Sequence, residues 1–322
     1  MKTIKKITCI ALVLLIAMTA VFAGGSSESS AKKTYKVGIC QFVQHVALDS
    51  ATQGFMDALK EELGDSVTFD NQNASGDMST VTTIVNSLVS NKVDLILANA
   101  TPPLQVAAAA TADIPILGTS VTDYETALDL KLTNGATGIN ISGASDLAPL
   151  DKQAQMIVEL FPNVKNVGLI YCSAEPNSVY QIDQMEAYLK QMGIKSTRYA
   201  FTDSNDVASV TEAACKTSDV LYIPTDNTAA SCTEAIRNVI EPAKVPAVVG
   251  EEGICKGCGV ATLTISYYDL GYTTGKMAVE ILKNGADVSK MPIQYAANPI
   301  KKYNAELSSI LGVKIPSDYT AI

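Results

Sequence analysis

The 322-residue chain has no tryptophan, one histidine (His45) and two arginines, Arg198 and Arg237. An arginine cluster gripping carboxylates or phosphates in bidentate fashion is therefore excluded. Any Ser-His-Asp triad or histidine-containing zinc site would have to run through His45. Positive charge is scarce too: 24 Lys and Arg stand against 33 Asp and Glu, a formal net charge of −9. With no surplus of cations to meet phosphates, no nucleic-acid partner is expected. The chain also lacks a Gly-x-Ser-x-Gly elbow, a zinc-type histidine pair and a Gly-x-Gly-x-x-Gly fingerprint. No catalytic, cofactor-binding or metal residue is expected.

Long apolar runs are missing except at the N-terminus. Lys2, Lys5 and Lys6 precede an apolar run from Ile7 to Ala20, followed by Val21-Phe22-Ala23 and Gly24-Gly25-Ser26-Ser27. A basic start, a short apolar stretch and a small-residue site describe a secretory signal peptide cut near Ala23. The run is shorter than the ~20 residues a membrane span needs. Cys9 lies inside the apolar stretch and not at the cut, so no lipid-modified cysteine is expected. Removal of residues 1–23 takes away three lysines and leaves the protein at −12. Residues 24–34 read as a flexible tether. The expected product is exported, periplasmic or otherwise extracytoplasmic, and soluble.

Six cysteines remain: Cys40, Cys172, Cys215, Cys232, Cys255 and Cys258. Cys255-Lys256-Gly257-Cys258 has the spacing of a redox pair or of half a four-thiolate zinc site. No second such pair exists, and its surroundings are glycine-rich without a clear helix start. A local disulfide or two plain thiols are both compatible with it. Whether Cys215 and Cys232 pair is left open.

What the sequence does have is a repeated rhythm of β-branched run, polar turn and helical pattern. Val37–Phe42, Val67–Phe69, Val93–Ala98 and Ile114–Leu117 read as strands, alternating with helices near 48–63, 79–89 and 103–110. The rhythm restarts after Leu147, with strands at 166–171, 195–200, 220–223 and 247–249. Such alternation predicts parallel sheets covered on both faces, an α/β fold of two Rossmann-like lobes. A long helix at 267–282, an extended segment at 293–297 and a helix at 305–311 then remain. That excess predicts three crossings between lobes, near 142–149, 262–268 and 290–299. The expected division is 35–145 plus 266–292 for the first lobe and 146–265 plus 293–322 for the second.

In open parallel sheets ligands bind beyond the carboxyl ends of strands. Polar residues are dense there: Gln41–His45, Asn71–Asp77, Asn99–Thr101 and Gly118–Asp123 in the first half, Ser173–Ser178, Pro224–Asn227 and Gly250–Gly253 in the second. Each alone could be a helix cap, and His45 is as compatible with a capping or buried role as with a cleft. Together, hydroxyls and helix-start N–H groups suit a carboxylate, while Glu175, Asp226 and Glu251 suit an ammonium. The pattern fits a zwitterion held without arginine.

Several of these segments, in order, carry a resemblance. Val37-Gly38-Ile39-Cys40-Gln41-Phe42, His45-Val46-Ala47-Leu48-Asp49, Asn73-Ala74-Ser75-Gly76-Asp77, Thr101-Pro102, Glu175-Pro176-Asn177-Ser178, Pro224-Thr225-Asp226-Asn227 and Tyr267-Tyr268-Asp269-Leu270-Gly271 resemble the ABC transporter substrate-binding proteins of the TrpX-like group. The likeness runs from about Tyr35 to Leu311. It implies a type I periplasmic-binding fold, a monomer that clamps a small-molecule ligand by hinge closure, and a membrane permease as partner. By analogy with amino-acid binders of that fold, Thr101, Thr119 and Ser120 would receive a carboxylate, and Asp226 with Glu251 an ammonium. Phe42, His45, Tyr171 and Tyr267 would wall the side chain, with Glu175, Asn177 and Asn227 completing the site. The ligand expected is an aromatic or other apolar amino acid. A sensor coupled to a receptor would use the same cleft, and an exported enzyme is the weaker alternative.

Overall fold

The structure is a computed structural model that describes residues 33–296 and 298–322. The expected leader, its cut near Ala23 and nearly all of the tether lie outside the described residues.

Among the described residues, thirteen strands form two sheets. They are β1 Tyr35–Gln41, β2 Val67–Asn73, β3 Leu95–Asn99, β4 Ile116–Val121, β5 Ile141–Ser145, β6 Asn166–Cys172 and β7 Lys195–Phe201. Then follow β8 Val220–Ile223, β9 Ala247–Val249, β10 Ala261–Thr264, β11 Gln294–Tyr295, β12 Ile300–Tyr303 and β13 Thr320–Ala321. The helices between them are α1 Val46–Leu63, α2 Met78–Ser90, α3 Thr101–Ala110, α4 Tyr124–Leu128, α5 Leu150–Leu160, α6 Pro176–Gln191 and α7 Val207–Cys215. The rest are α8 Asn227–Ser231, α9 Thr233–Ala243, α10 Glu252–Gly257, α11 Tyr267–Asn284 and α12 Ala305–Leu311.

The first sheet has the order β11-β5-β4-β3-β1-β2 and every pairing in it is parallel. The second runs β13-β12-β10-β9-β8-β6-β7, parallel except where β12 meets β10. Central strands such as β3 and β8 are buried along their whole length, as sheets with helices on both faces require. Core residues cluster separately for the two sheets, so each lobe holds itself together. This is the two-lobed α/β fold expected from the alternating pattern.

The chain passes between the sheets three times: from β5 to α5, from β10 to α11, and from β11 to β12. Tyr295 pairs with Ser145 of β5, so Gln294 and Tyr295 belong with the first sheet. The extended segment expected to open the second lobe at residue 293 instead pairs with β5 at the edge of the first sheet, a choice of partner that the strand pattern alone does not specify.

α11 returns from the second sheet and packs along α1 through glycines. A Cβ on Gly271 would lie 1.9 Å from the Ala51 carbonyl oxygen, and one on Gly54 would lie 2.1 Å from that of Tyr268. The two backbones thus touch, which ties the start of α1 to the crossing segment that begins α11. No helix among the described residues is long and apolar enough to cross a membrane.

Candidate functional site

The carboxyl ends of the two sheets face one another across a tight cavity with about 10 Å³ of free space, room for about one water molecule in the lobes as they close here. His45, Leu48, Ser120, Thr122 and Asp146 line it from the first sheet and its exit. Asn177, Thr225, Asp226, Asn227 and Glu251 line it from the second, and Tyr267 from the start of α11.

Buried networks set both walls. Below α1, the Asn99 amide donates to the Leu48 carbonyl (2.8 Å) and the Thr52 hydroxyl (2.9 Å). Thr52 in turn donates to Gln41 (2.7 Å), whose amide donates to Asp49 (2.7 Å). These bonds fix the strand ends of β1 and β3 to the first turns of α1, and so place His45 and Leu48. In the second lobe the Gln153 amide donates to the carbonyls of Gly250 and Leu263, and accepts from the Tyr222 hydroxyl at 2.6 Å. That network anchors the end of β9, where Glu251 begins.

The buried carboxylates of the second lobe also cap or tie helices. Asp226 accepts from the backbone N–H of Ala229 (2.8 Å) and Cys172 (2.6 Å). Glu251 caps α10 through the N–H groups of Gly253 and Ile254. Glu175 accepts from the N–H groups of Asn227 and Thr228 at the start of α8. Capping and site-lining are therefore one arrangement here: the carboxylate that satisfies a helix start is held rigidly at the cavity.

Electrostatics follow from burial. Asp146, Glu175, Asp226 and Glu251 are each at most 5% exposed. None of them takes part in an ion pair among the described residues, all of which lie toward the surface. Burial pushes the Glu251 carboxyl up to about 7 against the opposing pull of its two N–H partners. Burial first, then the neighbouring Glu175, raises Asp226 well above the ordinary carboxylate range. Burial also raises Asp146, although the Tyr267 and Thr122 hydroxyls hold it back. A cavity lined by three buried carboxylates, with Glu175 behind them and no protein cation, favours a ligand that brings positive charge.

The opposite chemistry sits on the first sheet. Eight buried side-chain polar atoms among the described residues have no hydrogen-bond partner. Six of them belong to residues at the strand ends: His45 Nδ1, Asn99 Oδ1, Thr101 Oγ1, Thr119 Oγ1 and Ser120 Oγ in the first lobe, and Asn177 Oδ1 across the cleft in the second. Unsatisfied buried polar groups are costly, and their concentration here marks where a polar ligand is met. Ala100 (φ 101°) and Ser120 (φ 56°) are held in positive-φ conformations at the ends of β3 and β4, a strain common at binding sites. Pro102 and Pro103 at the start of α3 have no N–H to offer. Hydroxyls must therefore supply donation that helix amides supply at other helix starts.

Of the twelve residues expected from sequence, His45, Ser120, Asn177, Asp226, Asn227, Glu251 and Tyr267 line the cavity. Thr101 and Thr119 lie behind Ser120, with the Ala100 N–H donating to the Thr119 carbonyl at 3.0 Å. Glu175 stands behind Asn177 and Asn227, accepting from both amides. Phe42 and Tyr171 do not line the cavity. Phe42 packs in the first sheet's core and Tyr171 in the second's, because side chains alternate faces along a strand and these positions point into the layers.

Leu48, Thr122, Asp146 and Thr225 line the cavity although sequence reasoning did not select them. Thr122 and Thr225 stand in polar strand-end segments already noted, while Asp146 follows the inconspicuous strand Ile-Ser-Gly-Ala-Ser. A larger, open depression of about 330 Å³ adjoins the cavity and shares Glu251 and Tyr267. Of its other charged lining residues, Lys302 and Glu252 pair with each other at 2.6 Å, and Lys256 stands beside them.

Two hydrogen bonds cross the cleft: His45 Nε2 to Asn227 Oδ1 at 3.2 Å, and the Gln181 amide to the Thr122 hydroxyl at 3.3 Å. The lobes are shut on the cavity. Among the described residues no group of His, Cys, Asp and Glu has the arrangement to hold a metal ion. Cys255 and Cys258 are free and buried, Cys255 within α10 and Cys258 at its end. The sequence reading had seen no clear helix there.

Two lobes shut on a small polar cavity have the form of a solute-binding protein. The chain belongs to the family described as ABC transporter substrate binding protein, which matches residues 36–320. It is 36% identical over 271 residues to the tyrosine-binding protein of Clostridioides difficile strain R20291, covering 83% of this chain and 78% of that one. Among solved structures it resembles an ABC domain in complex with L-Trp from Streptococcus pneumonia: 33% identity, TM-score 0.86, covering 90% of this chain and 100% of that one. It also resembles the ligand-free, open structure of a substrate-binding protein with adhesive properties from Clostridium difficile, at 36% identity and TM-score 0.68, covering 90% and 99%. At similar identity the fit to the tryptophan complex is much closer, as the two bonds across the cleft would require of a closed form.

Proposed function

We propose that the protein is the extracytoplasmic binding component of an ABC importer, and that it carries a free amino acid with an aromatic side chain to a membrane permease. The observation that carries this reading is the division of the cavity. The buried carboxylates of Asp226 and Glu251 line it from the second lobe without a protein cation, and the unpartnered hydroxyl of Ser120 lines it from the first, with those of Thr101 and Thr119 behind. A zwitterion satisfies both. The hydroxyls donate to its carboxylate, and Asp226, with Glu251 nearby, receives its ammonium. Such charge-assisted bonds are about twice as strong as neutral ones.

The side chain is received by Leu48, His45 and the ring of Tyr267. The relatives named for tyrosine and crystallised with L-Trp support an aromatic ligand. The closed lobes are the ligand-selected state of a hinge, which opens to release its cargo. Mass spectrometry of solute co-purifying with the native protein tests the proposal. An aromatic amino acid at near-stoichiometric amount is the expected result; a sugar, polyol or nucleoside in its place would overturn it.

A further inference from the structure

The protonation of His45 is fixed by its neighbours. The Glu175 carboxylate accepts from the N–H groups of Asn227 (3.1 Å) and Thr228 (2.9 Å), from the Thr228 hydroxyl (2.7 Å), and from the side-chain amides of Asn177 (3.2 Å) and Asn227 (2.6 Å). All five partners are donors, so the Asn227 amide turns its NH₂ to Glu175. Its oxygen is then the atom facing His45 Nε2 at 3.2 Å. An amide oxygen only accepts, so Nε2 carries the ring proton.

Burial lowers the imidazole's affinity for a second proton; the Asn227 bond and the charges of Glu175 and Asp49 oppose this less strongly. The ring is therefore neutral near pH 7, and Nδ1 presents a bare lone pair. That atom is shielded from solvent and has no partner in the protein, while the ring lines the cavity. His45 stands at the N-cap of α1 without making a capping bond, so the helix start does not explain it. An ammonium has stronger partners in Asp226 and Glu251. What remains for a neutral nitrogen acceptor is a neutral donor.

Resting on the amino-acid reading of the cavity, we infer that His45 determines specificity: its Nδ1 accepts a hydrogen bond from a donor on the ligand's side-chain ring, the phenol O–H of tyrosine or the indole N–H of tryptophan. Phenylalanine would leave the acceptor buried and unpaired, which sites built around a hydrogen bond reject strongly.

The test is calorimetric titration of the purified protein with L-tyrosine, L-tryptophan and L-phenylalanine, repeated on His45→Leu and His45→Asn. The native protein should prefer tyrosine or tryptophan over phenylalanine by about tenfold or more. His45→Leu should bring the ratio to within about threefold, chiefly by weakening the donor-bearing ligand. His45→Asn, which keeps an acceptor at the δ position, should retain part of the preference. Independently, the ¹⁵N resonance of Nδ1 in the native protein should move toward its hydrogen-bonded value with tyrosine or tryptophan and stay put with phenylalanine. An unchanged ratio in His45→Leu, or an unmoved Nδ1 resonance, overturns this inference alone. Failure of all three amino acids to bind overturns the amino-acid reading and the inference with it.

Discussion

Tyr267 donates its hydroxyl to the Asp146 carboxylate at 2.8 Å, and this bond joins two of the three segments by which the chain passes between its sheets. Asp146 follows β5 at the first crossing and Tyr267 begins α11 at the second. The other oxygen of Asp146 accepts from Thr122 at 3.1 Å, which Gln181 of the second lobe reaches in turn. The hinge, one cavity wall and the cross-cleft contact thus share a single buried carboxylate. Removing the donor by Tyr267→Phe should cost about 1–3 kcal/mol of stability, because a buried charge-bearing group loses a partner. Urea unfolding of the ligand-free protein measures it, and ligand affinity should fall as well.

The close approach of α1 and α11 makes a steric prediction. Alanine at Gly271 would set its methyl carbon 1.9 Å from the Ala51 carbonyl oxygen. The helices must separate, and overpacking of that kind costs about 1–3 kcal/mol despite alanine's better helix propensity. Thermal unfolding of Gly271→Ala should show a clear drop in Tm, and ligand affinity should suffer because α1 carries His45.

The cavity carboxylates predict a pH dependence. The Glu251 carboxyl lies near 7 in the folded, closed protein, and Asp226 is raised in the same sense. Unfolded, both titrate near 4. A group with a raised folded pKa contributes stability that is full below its unfolded value and is lost as pH rises through the folded one. The ligand-free closed form should therefore weaken between about pH 4 and 7. A bound ammonium favours the ionised carboxylates, so binding at pH 6 to 7 should release protons. Calorimetry in two buffers of different ionisation enthalpy detects this. In Asp226→Asn the release should shrink, and affinity should fall by at least about tenfold with the lost charge-assisted bond.

The cysteines predict reactivity. Burial pushes the Cys40 thiol up to about 12, raises Cys255 and Cys258 still further, and pushes Cys172 and Cys215 up to about 11. Thiolate is the reactive form, so these five should resist alkylation in the native protein and half-buried Cys232 should react first. Mass mapping after brief iodoacetamide treatment reads the pattern. Reductant should leave ligand binding unchanged.

The alternation of β-branched runs with helical patterns made most of the fold legible, since buried parallel strands such as β3 and β8 are written as continuous apolar runs. β5 was not legible: Ile-Ser-Gly-Ala-Ser has weak strand propensity, and Gly143 serves close packing, where a Cβ would meet the Gly118 oxygen at 2.0 Å. With β5 unseen, Asp146 at its end carried no signal as a site residue. Polar strand ends located six of the cavity residues, because helix capping and ligand contact draw on the same residue types. The aromatic guesses Phe42 and Tyr171 failed for a different reason. Which face of a strand looks into the cleft depends on packing, and a single residue's chemistry does not reveal it.

The central claim, a zwitterion held between unpaired hydroxyls and buried carboxylates, is tested most directly by ligand-induced thermal stabilisation. Binding to the folded state alone raises Tm by mass action. At millimolar concentration L-tyrosine or L-tryptophan should raise Tm by several degrees, while the matching 3-arylpropionate, which lacks only the ammonium, should not. Equal stabilisation by the arylpropionate, or none by any aromatic amino acid, would contradict the account.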